Sequence, residues 1–135
     1  MPEDNVIHIA AAIIEDKLGR MLLVRKKNTL FFMQPGGKPE PGESPQTALI
    51  RELREELQID VAVESIQFIG QFTDTAANEE NHRLVADIFR VTAPQAAISA
   101  SAEIAEAIWL SPDASPSVAL APLTQNQILP LLRQR

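Results

Sequence analysis

The segment Pro35–Glu43 restricts the fold of this chain more than any other stretch, because it holds three prolines and three glycines within nine residues. Proline lacks a backbone donor and fixes φ, so neither a helix nor a central strand can pass through such a segment. A shaped loop is therefore predicted. Directly after it, Ser44 can cap a helix with its hydroxyl, and Pro45 suits the first helical position, where no N–H is needed. The sequence predicts a helix from there to about Leu57.

The predicted helix has two different faces. An apolar stripe is formed by four aliphatic residues, Leu49, Ile50, Leu53 and Leu57. At about 100° per residue, three glutamates fall within roughly 100° of one another on the adjoining face, Glu52, Glu55 and Glu56. A generic helix would simply expose such an acidic face to water. Crowded carboxylates repel one another and raise each other's pKa, so the alternative is a cation that they hold together.

Composition places the chain among small globular proteins. Its 135 residues suit one domain, and 45% hydrophobic residues suffice for a core. A net charge of −6 is opposite in sign to what nucleic-acid binding requires. The absence of cysteine excludes disulfides, thiolate metal sites and cysteine nucleophiles. With no signal-peptide pattern and no apolar run near ~18 residues, we expect a cytoplasmic protein without membrane or nucleic-acid partners.

The rest of the chain alternates between strand-like and polar segments. Apolar, β-branched runs predict strands at Val6–Glu15, Arg20–Lys26, Val61–Val63, Ile66–Phe72, Leu84–Val91 and Ile108–Leu110. The polar stretch Thr73–His82 is expected to be an exposed loop. Thr124 is expected to cap a last helix over Gln125–Leu132, which Pro130 should kink or shorten. Strands that enclose a helix, with another helix at the end, indicate an α+β fold in which a mixed sheet lies between helices.

Residues of the loop and the first helix stand in the spacing G-x5-E-x7-R-E-U-x-E-E-x-G-U, where U is aliphatic. The matching residues are Gly37, Glu43, Arg51, Glu52, Leu53, Glu55, Glu56 and Ile59. This spacing is the Nudix box, and the chain resembles MutT-like Nudix hydrolases over nearly its whole length. The resemblance implies a single domain over residues 1–135, an α/β/α sandwich with a mixed central sheet. Gln58 stands where the family has glycine; the helix either bears the left-handed conformation there, at roughly 1–2 kcal/mol, or ends without that cap.

The resemblance also implies a divalent cation. Hydrolysis of a phosphoanhydride needs neutralised phosphates and an activated water, and Mg²⁺ held by carboxylates supplies both, with Mn²⁺ as an alternative. The implied metal ligands are the Gly36 carbonyl and the glutamates Glu52, Glu55, Glu56 and Glu103. Arg51 is implied to pair with Glu43 and to pin the loop to the helix, a structural role with consequences for catalysis.

Glu103 enters this set because of its distance from a tryptophan. It lies six residues ahead of Trp109, and this stretch resembles the one that carries a metal ligand or base in family members that cleave nucleoside triphosphates. Glu79 and Glu80 are the alternatives, because other members take the base from a mobile loop between strands. A plain surface position for Glu103 is the remaining interpretation.

Contacts to substrate are expected from the loop and from the strand before it. Gly37 lets the backbone approach a ligand because it has no Cβ, and Lys38 is free to meet a phosphate. Arg25 and Lys26 end the second predicted strand and would either neutralise another phosphate or be solvated. Phe32 would either stack on a base or lie in the core.

The resemblance implies a small-molecule substrate, a nucleoside diphosphate linked to another group. We expect hydrolysis of a nucleoside triphosphate, unmodified or oxidised, to the monophosphate and pyrophosphate. One alternative is an ADP-ribose or nucleotide-sugar pyrophosphatase, although residues 73–75 lack the proline of ADP-ribose-cleaving members. Asn126 lies near the asparagine position of members that read 8-oxoguanine without matching it. The alternative of another class is a non-catalytic nucleotide sensor, and the chain is expected to be a monomer or homodimer.

Overall fold

The structure, a computed structural model, describes residues 5–92 and 98–134. The strands in these ranges are β1 Val6–Ile14, β2 Met21–Lys26, β3 Phe32–Met33, β4 Gly36–Gly37, β5 Ile66–Thr75, β6 Arg83–Val91 and β7 Ile104–Leu110. The α-helices are α1 Pro45–Leu57 and the short α2 Leu129–Arg133. A π-helical turn over Thr124–Ile128, termed the π turn below, leads directly into α2. A 3₁₀ turn spans Val63–Ser65.

The strands form two sheets. One has the order β4-β1-β6-β5 and is mixed, because β1 pairs in parallel with β6 and antiparallel with β4. The other has the order β3-β2-β7 and is antiparallel. Gly19, at φ 77, makes the predicted turn between β1 and β2, and an isolated bridge joins Glu15 to Met21 beside it. This turn therefore connects the two sheets.

Strand β1 is buried on both faces from Ala10 to Ile14, which explains why this part of its sequence is a continuous apolar run rather than an alternating one. Ala10, Ala12 and Ile14 belong to a core cluster that includes the leucines of α1. Ala11 and Ile13 point the other way, into a second cluster that the π turn and α2 cover. The sheets thus lie between α1 and the C-terminal helical segment. The predicted α/β/α sandwich with a mixed sheet is confirmed.

Helix α1 begins as its sequence predicts. The Ser44 Oγ accepts a hydrogen bond from the Thr47 N–H at 3.1 Å, and Pro45 occupies the first turn. Three leucines of the predicted apolar stripe are fully buried, Leu49, Leu53 and Leu57. Because this stripe is fixed in the core, the acidic face beside it is held against the loop that precedes the helix.

The end of α1 adopts the left-handed cap conformation. Gln58 has φ 57 and ψ 37, and its N–H donates to the Arg54 carbonyl at 3.0 Å. The chain therefore bears the cost of placing a side chain in this region, which is roughly 1–2 kcal/mol. The Gln58 side-chain amide donates to the Ser101 Oγ at 3.2 Å, an exposed contact that offsets little of that cost.

Three predictions about local structure are wrong in whole or in part. The stretch Thr73–His82 is not a loop throughout, because its first three residues belong to β5, Ile66–Thr75. Val61–Val63 does not form a strand, since Val61 packs into the α1 cluster and Val63 begins the 3₁₀ turn. Core packing rather than strand pairing explains the apolar residue Val61, whereas Val63 is 57% exposed and its apolar side chain has no such explanation. Thr124 does not cap a helix from outside, because it lies within the π turn and follows Leu123, which is itself in the αR conformation.

Other segments agree with their sequence. Gly36–Gly37 forms only a two-residue strand, at the edge of its sheet, where a glycine- and proline-rich segment is tolerated. The predicted irregularity at Pro130 is present, because the π turn ends immediately before α2, whose first turn holds this proline. In the described ranges, none of the helices is both long enough and apolar enough to cross a membrane.

The left-handed cap generates a stability prediction. Glycine adopts φ near 57° without a Cβ clash, so Gln58→Gly should exceed Gln58→Ala in free energy of unfolding by about 1 kcal/mol. Both variants lose the contact with Ser101, so their difference isolates the backbone term. Urea unfolding at neutral pH measures it, and equal stabilities of the two variants would contradict the assignment of strain to this residue.

Candidate active site

Arg51 ties the proline- and glycine-rich loop to α1. Its Nε and Nη2 donate to the two carboxylate oxygens of Glu43 at 2.8 and 2.9 Å, a bidentate pair. Nη2 also donates to the Lys38 carbonyl at 3.2 Å. Nη1 donates to one oxygen each of Glu52 and Glu55, both at 3.1 Å. One guanidinium therefore holds a loop that has little regular structure of its own.

The contact with Arg51 makes Glu43 strongly acidic. Hydrogen bonds from Arg51, with one more from the Glu40 N–H at 2.8 Å, lower the pKa of Glu43 to about 2. The same contact raises the pKa of the Arg51 guanidinium. Both partners therefore stay charged across the neutral range, and the pairing that the resemblance implied is present.

Gly36 and Gly37 bring the loop backbone against the acidic face of α1. The Gly36 N–H donates to Glu56 Oε1 at 3.2 Å. A Cβ on Gly37 would collide with the carboxyl group of Glu52, and a Cβ on Gly36, whose φ is 149, would collide with the backbone of Ala10. At Gly36 only glycine fits without a shift of the backbone, whereas a Cβ at Gly37 would displace the Glu52 carboxyl group.

A cavity of about 320 Å³ lies beside the two glycines. Its charged lining residues are Lys26, Lys38, Glu52, Glu56, Glu79 and Glu103. Its apolar lining includes Ile7 and Ile9 of β1 and Leu84 of β6. Residues 75–79, at and after the end of β5, form one wall, and Thr124 of the π turn belongs to another. The cavity therefore combines carboxylates, ammonium groups and apolar surface.

Burial disfavours ionisation of the carboxyl groups of Glu52 and Glu56. Glu56 is only 5% exposed, and burial raises its pKa to about 8 against the opposing hydrogen bond from the Gly36 N–H. The negative charge of Glu52 makes a smaller contribution in the raising direction. Burial likewise raises the pKa of Glu52, although the hydrogen bond from Arg51 opposes the change. Buried carboxyl groups that lie side by side and have raised pKa values either take up protons or share a cation.

The donor set in the cavity fits a hard divalent cation. Glu52, Glu56 and Glu103 line the cavity, and Mg²⁺ prefers oxygen ligands of the kind that carboxyl groups supply. Glu55 does not line the cavity; its side chain is 47% exposed and bonds to Arg51. Within residues 5–92 and 98–134, no three acidic or histidine side chains already stand as a metal cluster. The cavity therefore offers Glu52, Glu56 and Glu103 as candidate ligands, with Gly36 beside them.

The predicted substrate contacts divide into two groups. Three of the residues line the cavity, Lys26, Gly37 and Lys38. Arg25 does not, since its guanidinium donates to Glu106 Oε1 at 3.2 Å and to the Thr29 carbonyl at 2.9 Å. It also lies 5.9 Å from the centroid of the Phe32 ring, and Phe32 is itself 4% exposed in the second core cluster. The structure thus does not bring Arg25 and Phe32 to the cavity.

The structure also distinguishes among the three candidates for an acidic group that acts beside the glutamates of α1. Glu103, directly before β7, and Glu79, in the loop after β5, both line the cavity, whereas Glu80 does not. Glu103 contributes to raising the pKa of Glu56, which places its charge within electrostatic reach of that carboxyl group. Asn126 does not line the cavity; its amide donates to Asp74 Oδ2 at 3.2 Å.

One pair of cavity residues was missed by sequence reasoning. The Thr124 hydroxyl donates to Gln34 Oε1 at 2.6 Å, and the Gln34 amide donates weakly to the Met21 sulfur at 3.1 Å. Gln34 is 5% exposed and Thr124 is fully buried. The available signal was a glutamine at the end of an apolar run, directly before Pro35. Gln34 and Thr124 are termed the polar pair below.

Known proteins resemble the chain along most of its length. Residues 6–132 match the family model of the NUDIX domain. An 8-oxo-dGTP diphosphatase of Proteus vulgaris is 42% identical over 65 residues, which are 45% of this chain and 58% of that protein. A CTP pyrophosphohydrolase of Escherichia coli K12 is 35% identical over 85 residues, 60% of this chain and 58% of that protein. The chain thus spans less than two thirds of the length of these curated relatives.

The architecture is also found among solved structures. The solution structure of the Escherichia coli ORF135 protein has a TM-score of 0.68 and 28% identity, and the match covers 96% of this chain and 87% of that one. The similarity therefore extends well beyond the loop and α1.

The depressed pKa of Glu43 generates a prediction about acid stability. With a pKa of about 2 in the folded chain against an ordinary value of 4.5, the ionised carboxylate stabilises the fold above pH 4.5, and this contribution is lost as the pH falls toward 2. Glu43→Gln should therefore destabilise at neutral pH, and its deficit relative to the wild type should shrink as the pH falls from 4.5 to 2.

Urea unfolding across this pH range measures the difference. The matched control is Glu64→Gln, at an exposed position in the 3₁₀ turn, which should leave stability nearly unchanged at every pH. A Glu43→Gln deficit of constant size from neutral to acid pH would contradict the pairing.

Proposed function

The chain belongs to the NUDIX domain family, and we propose that it is a metal-dependent hydrolase that converts nucleoside triphosphates to the monophosphate and pyrophosphate. The observation that carries this proposal is the composition of the cavity. Glu52, Glu56 and Glu103 line it together with Lys26 and Lys38, so cation-binding and phosphate-binding side chains share one space. Both kinds of group are needed to cleave a phosphoanhydride.

Nudix hydrolases generally use divalent metals, and for this chain we propose Mg²⁺, with Mn²⁺ as an alternative. Glu52, Glu56 and Glu103 would hold it, with the Gly36 carbonyl, and Glu55 would join them on release from Arg51. When bound, the cation supplies charge neutralisation for the phosphates and activation of the attacking water. The raised pKa of Glu56, about 8, means that binding displaces a proton from this site near neutral pH.

The side chains of the loop and of β2 orient the substrate. Lys26 and Lys38 would pair with phosphate oxygens, and the glycines let the backbone lie close to them. Arg51 contributes indirectly, because its bonds to Glu43 and Glu52 hold the loop and the acidic face in fixed relation. Glu103 would either complete the set of metal ligands or, instead, accept the proton of the attacking water, and Glu79 is the alternative proton acceptor.

The substrate is best sought among nucleoside triphosphates. The two curated relatives described above are named for 8-oxo-dGTP and for CTP, which are both nucleoside triphosphates. In this chain, the polar pair and the apolar residues Ile7, Ile9 and Leu84 offer hydrogen bonds and flat contact to a base. A panel of unmodified and oxidised nucleoside triphosphates decides which kind of base the chain prefers.

A substrate panel with a ligand variant tests this function. Wild-type chain with Mg²⁺ should release the monophosphate from at least one of CTP, dCTP, dGTP and 8-oxo-dGTP, and excess chelator should abolish turnover. Glu56→Gln should lower kcat by several powers of ten, as expected when an anchoring charge is removed. It should also lose the rise in Tm that Mg²⁺ gives the wild type. The variant should remain folded, because burial already disfavours the charged form of Glu56 and the neutral amide of glutamine carries no charge to bury.

Each outcome of the panel has a definite reading. Cleavage of ADP-ribose or nucleotide sugars, with triphosphates untouched, would replace the proposed substrate class. Nucleotides bound but recovered intact by mass spectrometry after long incubation would indicate a sensor. Full turnover in chelator would overturn metal dependence.

The roles of the acidic groups outside α1 can be separated in the same assay. Glu103→Gln should lower kcat by about a hundredfold or more with little change in KM, because its charge matters most as the transition state forms. Glu79→Gln is the matched substitution at the other cavity position, and Glu80→Gln, outside the cavity, is the control. A large kcat loss in Glu79→Gln with an unimpaired Glu103→Gln enzyme would transfer the role to the loop after β5.

A further inference from the structure

Asp74, near the end of β5, joins two walls of the cavity. Its Oδ1 accepts the Thr75 N–H at 2.7 Å. Its Oδ2 accepts the side-chain amides of Asn126 and Gln127 at 3.2 and 3.3 Å. The Gln127 amide also donates to the Thr73 carbonyl at 3.3 Å. One carboxylate therefore connects the end of β5 to the π turn.

Both of the connected segments continue into the cavity lining. Residues 75–79 follow Asp74 directly, and Thr124 begins the π turn from which Asn126 and Gln127 project. Thr124 is fully buried and donates to Gln34 at 2.6 Å. The π turn thus makes one contact inside the cavity, through Thr124, and another with β5, through Asp74.

The π turn depends on outside contacts more than an ordinary helical turn does. A π-helical turn is an irregularity that rarely extends and that recurs at functional sites. Here Pro130 follows it and offers no N–H to bond back into it. Burial raises the pKa of Asp74, but hydrogen bonds from Thr75, Asn126 and Gln127 lower it by more, so the pKa lies below its ordinary value. The acceptor is therefore ionised and its hydrogen bonds are charge-assisted.

We propose that Asp74 is a positioning residue for substrate binding, which holds the π turn against the end of β5 and thereby keeps Thr124 in contact with Gln34 in the cavity. Asp74 does not itself line the cavity. Its effect should therefore fall on binding rather than on the chemical step. The kinetic part of this inference rests on the proposed function, whereas its structural part does not.

Substitutions at both ends of the contact test the kinetic part. Asp74→Ala should raise KM for the best triphosphate of the panel by about tenfold and change kcat by less than about twofold. Asp74→Asn should give a smaller rise in KM than Asp74→Ala, because asparagine keeps one acceptor oxygen. KM should still rise, because this single oxygen cannot accept from Thr75 and from both side-chain amides together. Gln127→Ala should raise KM, and Gln125→Ala, the same change at an exposed position of the same turn, should not.

A double-mutant cycle shows whether Asp74 acts through the polar pair. Thr124→Val removes the hydroxyl at nearly constant volume, and in that background Asp74→Ala should add little to KM. Fully additive effects would overturn the proposal, as would a fall in kcat at unchanged KM. Equal effects of Gln127→Ala and Gln125→Ala would do the same.

Nuclear magnetic resonance of the free protein reads the structural part without any activity. The Gln34 side-chain amide signals should shift in Asp74→Ala, Asp74→Asn and Gln127→Ala, but not in Gln125→Ala. If no nucleotide is cleaved, the proposed function fails while these shifts still decide the positioning role. If the Gln34 side-chain amide signals keep their positions in folded Asp74→Asn and Gln127→Ala, the positioning role of Asp74 is overturned.

Discussion

The bidentate pair between Arg51 and Glu43 is the contact on which the candidate site depends. The segment Pro35–Glu43 has only a two-residue strand of its own, so it needs a partner outside itself. A guanidinium presents five donors in a rigid fork, and Arg51 uses them on the loop and on the acidic face of α1 at once. Because the leucines of α1 are fixed in the core, the position of the loop follows from the packing of the core.

Arg51 satisfies only part of the acidic face. It bonds to Glu43, Glu55 and one oxygen of Glu52, whereas Glu56 lies buried at the cavity with its pKa raised to about 8. For stability alone, an apolar side chain would serve better at a buried position than a carboxyl group with a single backbone hydrogen bond. The free chain therefore carries a destabilising feature that a bound cation would relieve, which is the usual relation between stability and function at a metal site.

Sequence predicted those features that depend on near neighbours in the chain. The cap at Ser44 and the buried stripe of α1 both follow from residues within a few turns of one another. The errors occurred where the partner is distant. Val61 is apolar because it packs into a core cluster that residues of β1 and β6 also enter, and Thr124 bonds to Gln34, 90 residues away. A hydroxyl at the start of a helical segment looks the same in sequence whether it caps that helix or reaches into a cavity.

This division between near and distant contacts bears on specificity. The loop and α1 supply three of the six charged cavity-lining residues from one continuous segment, and phosphates are common to every nucleotide. A spacing pattern in that segment therefore cannot determine which nucleotide base is bound. The polar pair is assembled from two segments far apart in the chain, and its geometry depends on where the π turn lies against β5. Under the proposed function, a change in this distant pairing would alter the contact with the base without disturbing the carboxyl groups of α1.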